Sequence, residues 1–344
     1  MSKIKSVIKD LLSNLDGRKK EVLTGRFGLD GKRPMTLQKI GDKYGVTRER
    51  IRQIESLALS EVRADLKDNF EVKEALDKVE DYINNKGGLV HEEMLVNDMA
   101  KILSPEADKS SLSFLREASG RFGYQNETED FHSFWYTEKD STKKAKELIN
   151  KFATFIKSKR EDVVSRNKFD ELFATVVKSH KLPDAIGINY LAVSKKFCVS
   201  PYGDFGLSEW PEIKPATIRD WSYLVLKKAN KPLHFEEIAQ HISKIHNKKD
   251  KVFTPTVHNE LIKDKRFVLV GRGVYGLTDF GYEQGTIKDL IKNILKKKGP
   301  MEAEEIIPLV SQQRMFKKNT VMLHLQDKKS FGKDGSGKYF ATSA

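Results

Sequence analysis

The chain has 344 residues, 38% of them hydrophobic, and 62 Lys and Arg against 49 Asp and Glu leave a formal net charge of +13. That length holds two to four ordinary domains, and the basic balance suits a polyanionic partner. A single cysteine excludes an internal disulfide and a multi-thiolate zinc site, and no apolar run nears the roughly 20 residues that cross a bilayer.

The first fifteen residues, MSKIKSVIKDLLSNL, alternate charge with Ile, Val and Leu as an amphipathic helix does, unlike a signal peptide. Residues 36–57 read TLQKIGDKYGVTRERIRQIESL and have the layout of a helix-turn-helix. Thr36 is placed to cap a short helix, Gly45 to end it in the left-handed conformation, and Thr47 to cap a second helix. On that second helix Ile51, Ile54 and Ala58 form an inward stripe, while Arg48, Glu49, Arg52, Gln53 and Ser56 lie opposite. Arg, Glu and Gln can read base edges in a major groove. A plain two-helix corner with a charged exterior is the alternative for the charge pattern alone.

The string VTRERIRQIE, Val46 to Glu55, resembles the recognition helix of region 4 in the bacterial sigma-70 family. The resemblance extends upstream through RFGLDGKRPMTLQKIGDKYG and the helix RKKEVL, and covers roughly the first 65 residues. It implies a helix that enters the major groove of a −35-type promoter element in double-stranded DNA, and RNA polymerase as a second partner. Carried over by position, Arg48, Glu49 and Gln53 contact bases, Arg50 and Arg52 hold phosphates, and Thr36 and Lys39 sit against the DNA backbone. In that family an aromatic-rich region 2 melts and reads the −10 element, and region 4 comes last. Here the resembling segment comes first and nothing else looks like region 2, so the expectation is a promoter-reading module on a different body.

After a charged helical stretch, Lys67 to Asn85, the body repeats. Glu-Glu-Ile triplets begin at 236 and 304, 68 positions apart, while Thr256-Val257, Leu261 and Phe267 match Thr320-Val321, Leu325 and Phe331 at a constant offset of 64. The difference predicts a four-residue insertion in the loop Asn247 to Asp250. An earlier copy pairs Phe197 and Gly206-Leu207 with Phe267 and Gly276-Leu277, opening at Asn167. The first opens at Gly87 and ends at Phe131 to Tyr136, and the aromatics of these two hairpins read as core. In the third copy helices are expected over Thr217–Ala229 and Phe235–His246 and from a Thr254 cap followed by Pro255. A hairpin follows from Arg266 to Leu277 around Gly271-Arg272-Gly273. Three helices and a two-stranded ribbon make a winged helix.

The third copy, through Trp221, KPLHFEEIA and the ending GRGVYGL, is similar to the HARE-HTH family, which implies a DNA or polymerase interaction module. Its exposed candidates for DNA contact are Thr256, His258, Asn259 and Lys263 on the third helix, Arg272 at the wing tip, and Lys248, Lys249 and Lys251 for phosphates. Winged helices also serve as protein-docking modules. Cys198 reads as a small buried hydrophobe in a strand.

A nuclease spacing, Pro183-Asp184 followed by Glu212-Ile213-Lys214, reads as chance, because Glu212 lies between Pro211 and Pro215 rather than on a central strand. The histidines lack metal-ligand spacing, and no phosphate-binding glycine loop or nucleophile elbow occurs. The expectation is therefore a cytoplasmic, mainly α protein with small β-hairpins: a helix-turn-helix bundle at 1–66, then tandem winged-helix units at 67–140, 141–212, 213–281 and 282–344. Its expected role is sequence-specific DNA binding in transcription, with no enzyme activity, cofactor, metal, membrane or small-molecule substrate. The alternative is a polymerase-bound adaptor whose helix-turn-helix and winged-helix surfaces meet protein.

Overall fold

The structure is a computed structural model and describes residues 4–166, 168–246 and 252–342. Over these residues it is mainly α-helical with short antiparallel strands, the fold class expected. Asn167 and the loop Asn247 to Lys251, with Lys248 and Lys249, lie outside the described residues. The chain divides into two compact units, residues 1–197 and 198–344.

In the first unit, α1 (Ile4–Ser13) buries Ile4, Val7, Ile8, Leu11 and Leu12, the stripe its sequence predicts. It is followed by α2 (Gly17–Phe27), α3 (Leu37–Tyr44), α4 (Arg48–Leu66) and α5 (Phe70–Asn85). Then come β1 (Leu89–His91), α6 (Glu92–Ile102), α7 (Lys109–Ser119), β2 (Gly123–Gln125) and β3 (Phe134–Tyr136). The three strands pair antiparallel in the order β1-β3-β2, with Trp135 opposite both Val90 and Tyr124. β3 takes the centre because it carries Phe134 and Trp135, both buried. From α5 to β3 the order is helix, strand, two helices and a hairpin, as in a winged helix.

One apolar core joins this array to the helices before it. Leu12 of α1 and Ala58, Val62 and Leu66 of α4 share a cluster with Val79, Leu95, Phe114 and Trp135. A second, smaller cluster of Val22, Ile40 and Ile51 holds α3 between α2 and α4. The unit continues through α8 (Lys139–Lys157), α9 (Arg160–Val164), α10 (Phe169–Ser179) and α11 (Asp184–Ala192). Phe152 of α8 is enclosed by Phe169, Phe173 and Phe197. Asn189 Nδ2 of α11 donates to the carbonyls of Lys86 and Leu89, both at 2.7 Å, and so grips the turn between α5 and β1.

The division between units falls in the hairpin of β4 (Phe197–Val199) and β5 (Phe205–Leu207). Cys198 is on a strand as expected, but half-buried rather than buried. What burial there is pushes its thiol pKa up.

In the second unit α12 (Ile218–Ala229) begins at Thr217, whose hydroxyl accepts from the Asp220 amide in a capping box. β6 (Leu233–His234), α13 (Phe235–His246), α14 (Thr254–Lys263), β7 (Phe267–Gly271) and β8 (Val274–Leu277) follow, and the strands order as β6-β8-β7, the same pattern as in the first unit. α14 starts one residue earlier than its capping signal suggested: Thr254 is already helical and Phe253 takes the cap without a side-chain bond. Proline is tolerated throughout a first helical turn, so Pro255 marks the start only to within a residue. The last array is α15 (Ile287–Lys298), α16 (Ala303–Gln313), α17 (Lys318–Leu325), β9 (Phe331–Lys333) and β10 (Tyr339–Ala341). Repeat-matched residues occupy matched places: Ile238 and Ile306, Val257 and Val321, Leu261 and Leu325, and Phe267 and Phe331 are all buried.

Candidate nucleic-acid interface

The angle between α3 and α4 is built from short-range chemistry. Thr36 caps α3, its hydroxyl accepting from the Lys39 amide at 3.2 Å, and Thr47 caps α4 through the Arg50 amide at the same distance. Gly45 stands between them at φ +66°, where a side chain would be strained. Gly41 answers a different need, since a Cβ there would lie 2.6 Å from the Val46 carbonyl oxygen. The turn thus closes onto α3 only if residue 41 has no side chain, a requirement that no capping signal announces.

Ile51 and Ala58 point inward, fully buried, and Ile54 is half-buried. Arg48, Glu49, Arg50, Arg52 and Gln53 are exposed on the first two turns of α4, with Thr36 and Lys39 exposed on α3. Arg52 holds Glu49 by a bidentate pair, Nη2 donating to Oε1 at 2.6 Å and Nε to Oε2 at 2.9 Å. That hydrogen bonding keeps the Glu49 carboxyl below the usual range and raises the Arg52 guanidinium. Arg50 Nη1 likewise donates to Gln53 Oε1 at 3.2 Å. Each of these two base-reading candidates is therefore pre-aligned by a phosphate-holding candidate one turn away.

Two grooves border this face. One, of about 750 Å³, is lined by Lys20, Lys32, Arg33, Lys39 and Lys43 together with Glu21 and Asp30. Sequence reasoning selected only Lys39 from this set, although the density of Lys and Arg over 18–43 was a usable signal. The other, of about 630 Å³, lies among the end of α2, α4 and α7 and could not be foreseen, because the α7 wall stands 50 residues or more beyond the α4 wall in the chain.

In the second unit the structure brings Thr256, Asn259 and Lys263 to one exposed face of α14, and leaves Arg272 exposed at the tip between β7 and β8. His258 is set apart from them. Its ring is half-buried and packs at a tilt of 30° against Phe235, with centroids 4.5 Å apart. Lys263 is tied to Glu260 at 3.4 Å.

A nuclease reading of the Asp184 and Glu212 spacing would require both residues on strands. Asp184 opens α11 and Glu212 is buried in a turn, so neither stands on a strand. Among the described residues no helix is long and apolar enough to cross a membrane.

Comparison with known proteins bears on the first of these faces. The family described as sigma-70, region 4, matches residues 11–64. The chain is also 50% identical over 60 residues to the RNA polymerase sigma factor SigA of Listeria monocytogenes and, to the same extent, to that of Listeria innocua. The matched stretch is 17% of this chain and 16% of each relative, so the chain spans about a sixth of the curated relatives it matches. Residues 11–64, which contain the whole α3–α4 face, are thus similar to region 4 of the sigma-70 family.

Proposed function

We propose that this chain is a DNA-binding transcription protein that reads a −35-type promoter element through α4, docks on RNA polymerase, and acts in initiation or its regulation. The observation that carries the reading is the exposed Arg48, Glu49 and Gln53 on a capped helix inside the sigma-like stretch. Arg48 pairs with guanine, Glu49 accepts from a cytosine amino group and Gln53 meets adenine. Arg50, Arg52, Thr36 and Lys39 fix register on the phosphates. The units we assign at 67–140, 141–212, 213–281 and 282–344 are winged helices, the third of HARE-HTH type. They add DNA affinity, through Thr256, Asn259, Lys263 and Arg272 in the third, or hold a protein partner. The protein is a binding protein in this reading, not an enzyme, and it works in the cytoplasm.

Binding-site selection by the intact chain tests it. Arg48→Ala or Gln53→Ala should relax the choice at one base pair each, at about 1–3 kcal/mol per lost pairing. Affinity should fall with salt at a log–log slope of about −0.9 per phosphate contact. A second reading, a polymerase-bound adaptor, is favoured by the Glu49–Arg52 and Arg50–Gln53 pairs, which already give those side chains partners without DNA. It prevails if both substitutions leave DNA selection unchanged while polymerase is still bound.

A further inference from the structure

The groove between α4 and α7 adjoins the reading face and carries its charge. Arg52 and Ser56 line one wall from α4, while Lys109, Ser110 and Ser113 line the other from α7. Ser110 and Ser113 are three apart and so share a face of α7. Four cations, Arg26, Arg52, Lys109 and Arg116, face two carboxylates, Glu55 and Glu117. Both carboxylates are already neutralised within the groove: Arg26 Nε donates to Glu55 Oε1 at 3.0 Å, and Arg116 Nη2 to Glu117 Oε1 at 2.7 Å. Arg52 and Lys109 take their carboxylates, Glu49 and Glu92, from outside the groove lining, and both side chains remain more than half exposed at its edge.

The second wall is rigidly placed. Arg63 of α4 donates from Nε to the Ala118 carbonyl at 2.8 Å and from Nη2 to the Glu117 carbonyl at 3.0 Å, which fastens the end of α7 to the later part of α4. Phe114 packs edge-on against Phe27, ring centroids 5.6 Å apart. The Arg116 guanidinium lies 3.9 Å from the centre of the Tyr124 ring. Lys, Arg and Ser side chains on a fixed wall, next to a helix in a major groove, are those that hold phosphates rather than read bases.

We infer that this groove holds the sugar–phosphate backbone flanking the major groove read by α4, so that the DNA footprint extends onto α7, outside residues 11–64. The inference rests on the proposed reading of α4. Its test uses the full chain and a duplex bearing its selected site. The double variant Ser110→Glu/Ser113→Glu should bind about tenfold more weakly at low salt, with the deficit shrinking as salt rises and with sequence choice unchanged. Ser110→Ala/Ser113→Ala should lose much less. Replacing the flanking phosphates by uncharged methylphosphonates should weaken the unaltered protein and leave the glutamate variant indifferent; this arm also decides the matter if the glutamates disturb folding. Equal binding of charged and uncharged flanks, while Arg48→Ala still relaxes sequence choice, overturns the α7 contact and spares the reading of α4. Failure of the unaltered chain to bind any duplex overturns both.

Discussion

Glu92 is an enclosed carboxylate, only 3% exposed, that remains charged. Burial alone would raise its pKa, but Lys109 Nζ at 2.7 Å, Ser133 Oγ at 2.9 Å and Tyr124 OH at 3.2 Å outweigh burial and hold it below its ordinary 4.5. A depressed folded value means that its stabilisation is complete above about pH 4.5 and is lost as pH falls through the lower folded value. Glu92→Gln should therefore destabilise the first unit by about 1–3 kcal/mol at neutral pH. It should also flatten the loss of stability on acidification, so that urea melts of the two proteins converge as the pH falls through the lowered folded value. On the reading face, Glu49→Gln weakens the clamp on Arg52 and removes one negative charge. Affinity for nonspecific duplex should rise modestly, measured at low salt where exposed charges are least screened.

At the scale of the element, the helix-turn-helix was legible because its instructions are local. Thr36, Gly45 and Thr47 each act within four residues, and the Ile51–Ala58 stripe follows from helical periodicity. Gly41, the Arg26–Glu55 pair and the Arg63 bonds to α7 were not legible. The two arginines depend on partners brought in by folding, 55 residues away for Arg63 and Ala118, and Gly41 on how closely the turn closes over it. The duplicated units showed through matched core residues such as Val257 and Val321, whereas His258 read as exposed because periodicity alone does not reveal Phe235 packed against it. Substitutions should rank accordingly. Thr47→Ala loses one cap and costs about 1 kcal/mol. Gly45→Ala imposes a left-handed alanine at about 1–2 kcal/mol. Gly41→Ala should cost more than either, since the Val46 carbonyl it meets is backbone and cannot swing aside. Thermal melts of the three single variants check the order.

At the scale of the whole unit, α4, the proposed reading helix, does not own its core. Ala58, Val62 and Leu66 lie in the same cluster as Phe114 and Trp135. Phe114→Ala, on the far helix, should destabilise by about 3–5 kcal/mol, and the loss should appear in α4 as well as in the array of α5 to β3, in one cooperative transition. A fragment ending at residue 66 would leave those side chains uncovered and should be less helical by circular dichroism than one ending at 136. The shared core also makes the two parts thermodynamic partners. A duplex present at a hundredfold over its Kd adds about 2.7 kcal/mol to whatever unfolds together with α4. Amide hydrogens in β3 should then exchange more slowly on DNA, although that strand carries none of the proposed contacts. By reciprocity, any protein that grips the array of α5 to β3 only when it is folded should tighten the hold of α4 on the duplex proposed for it.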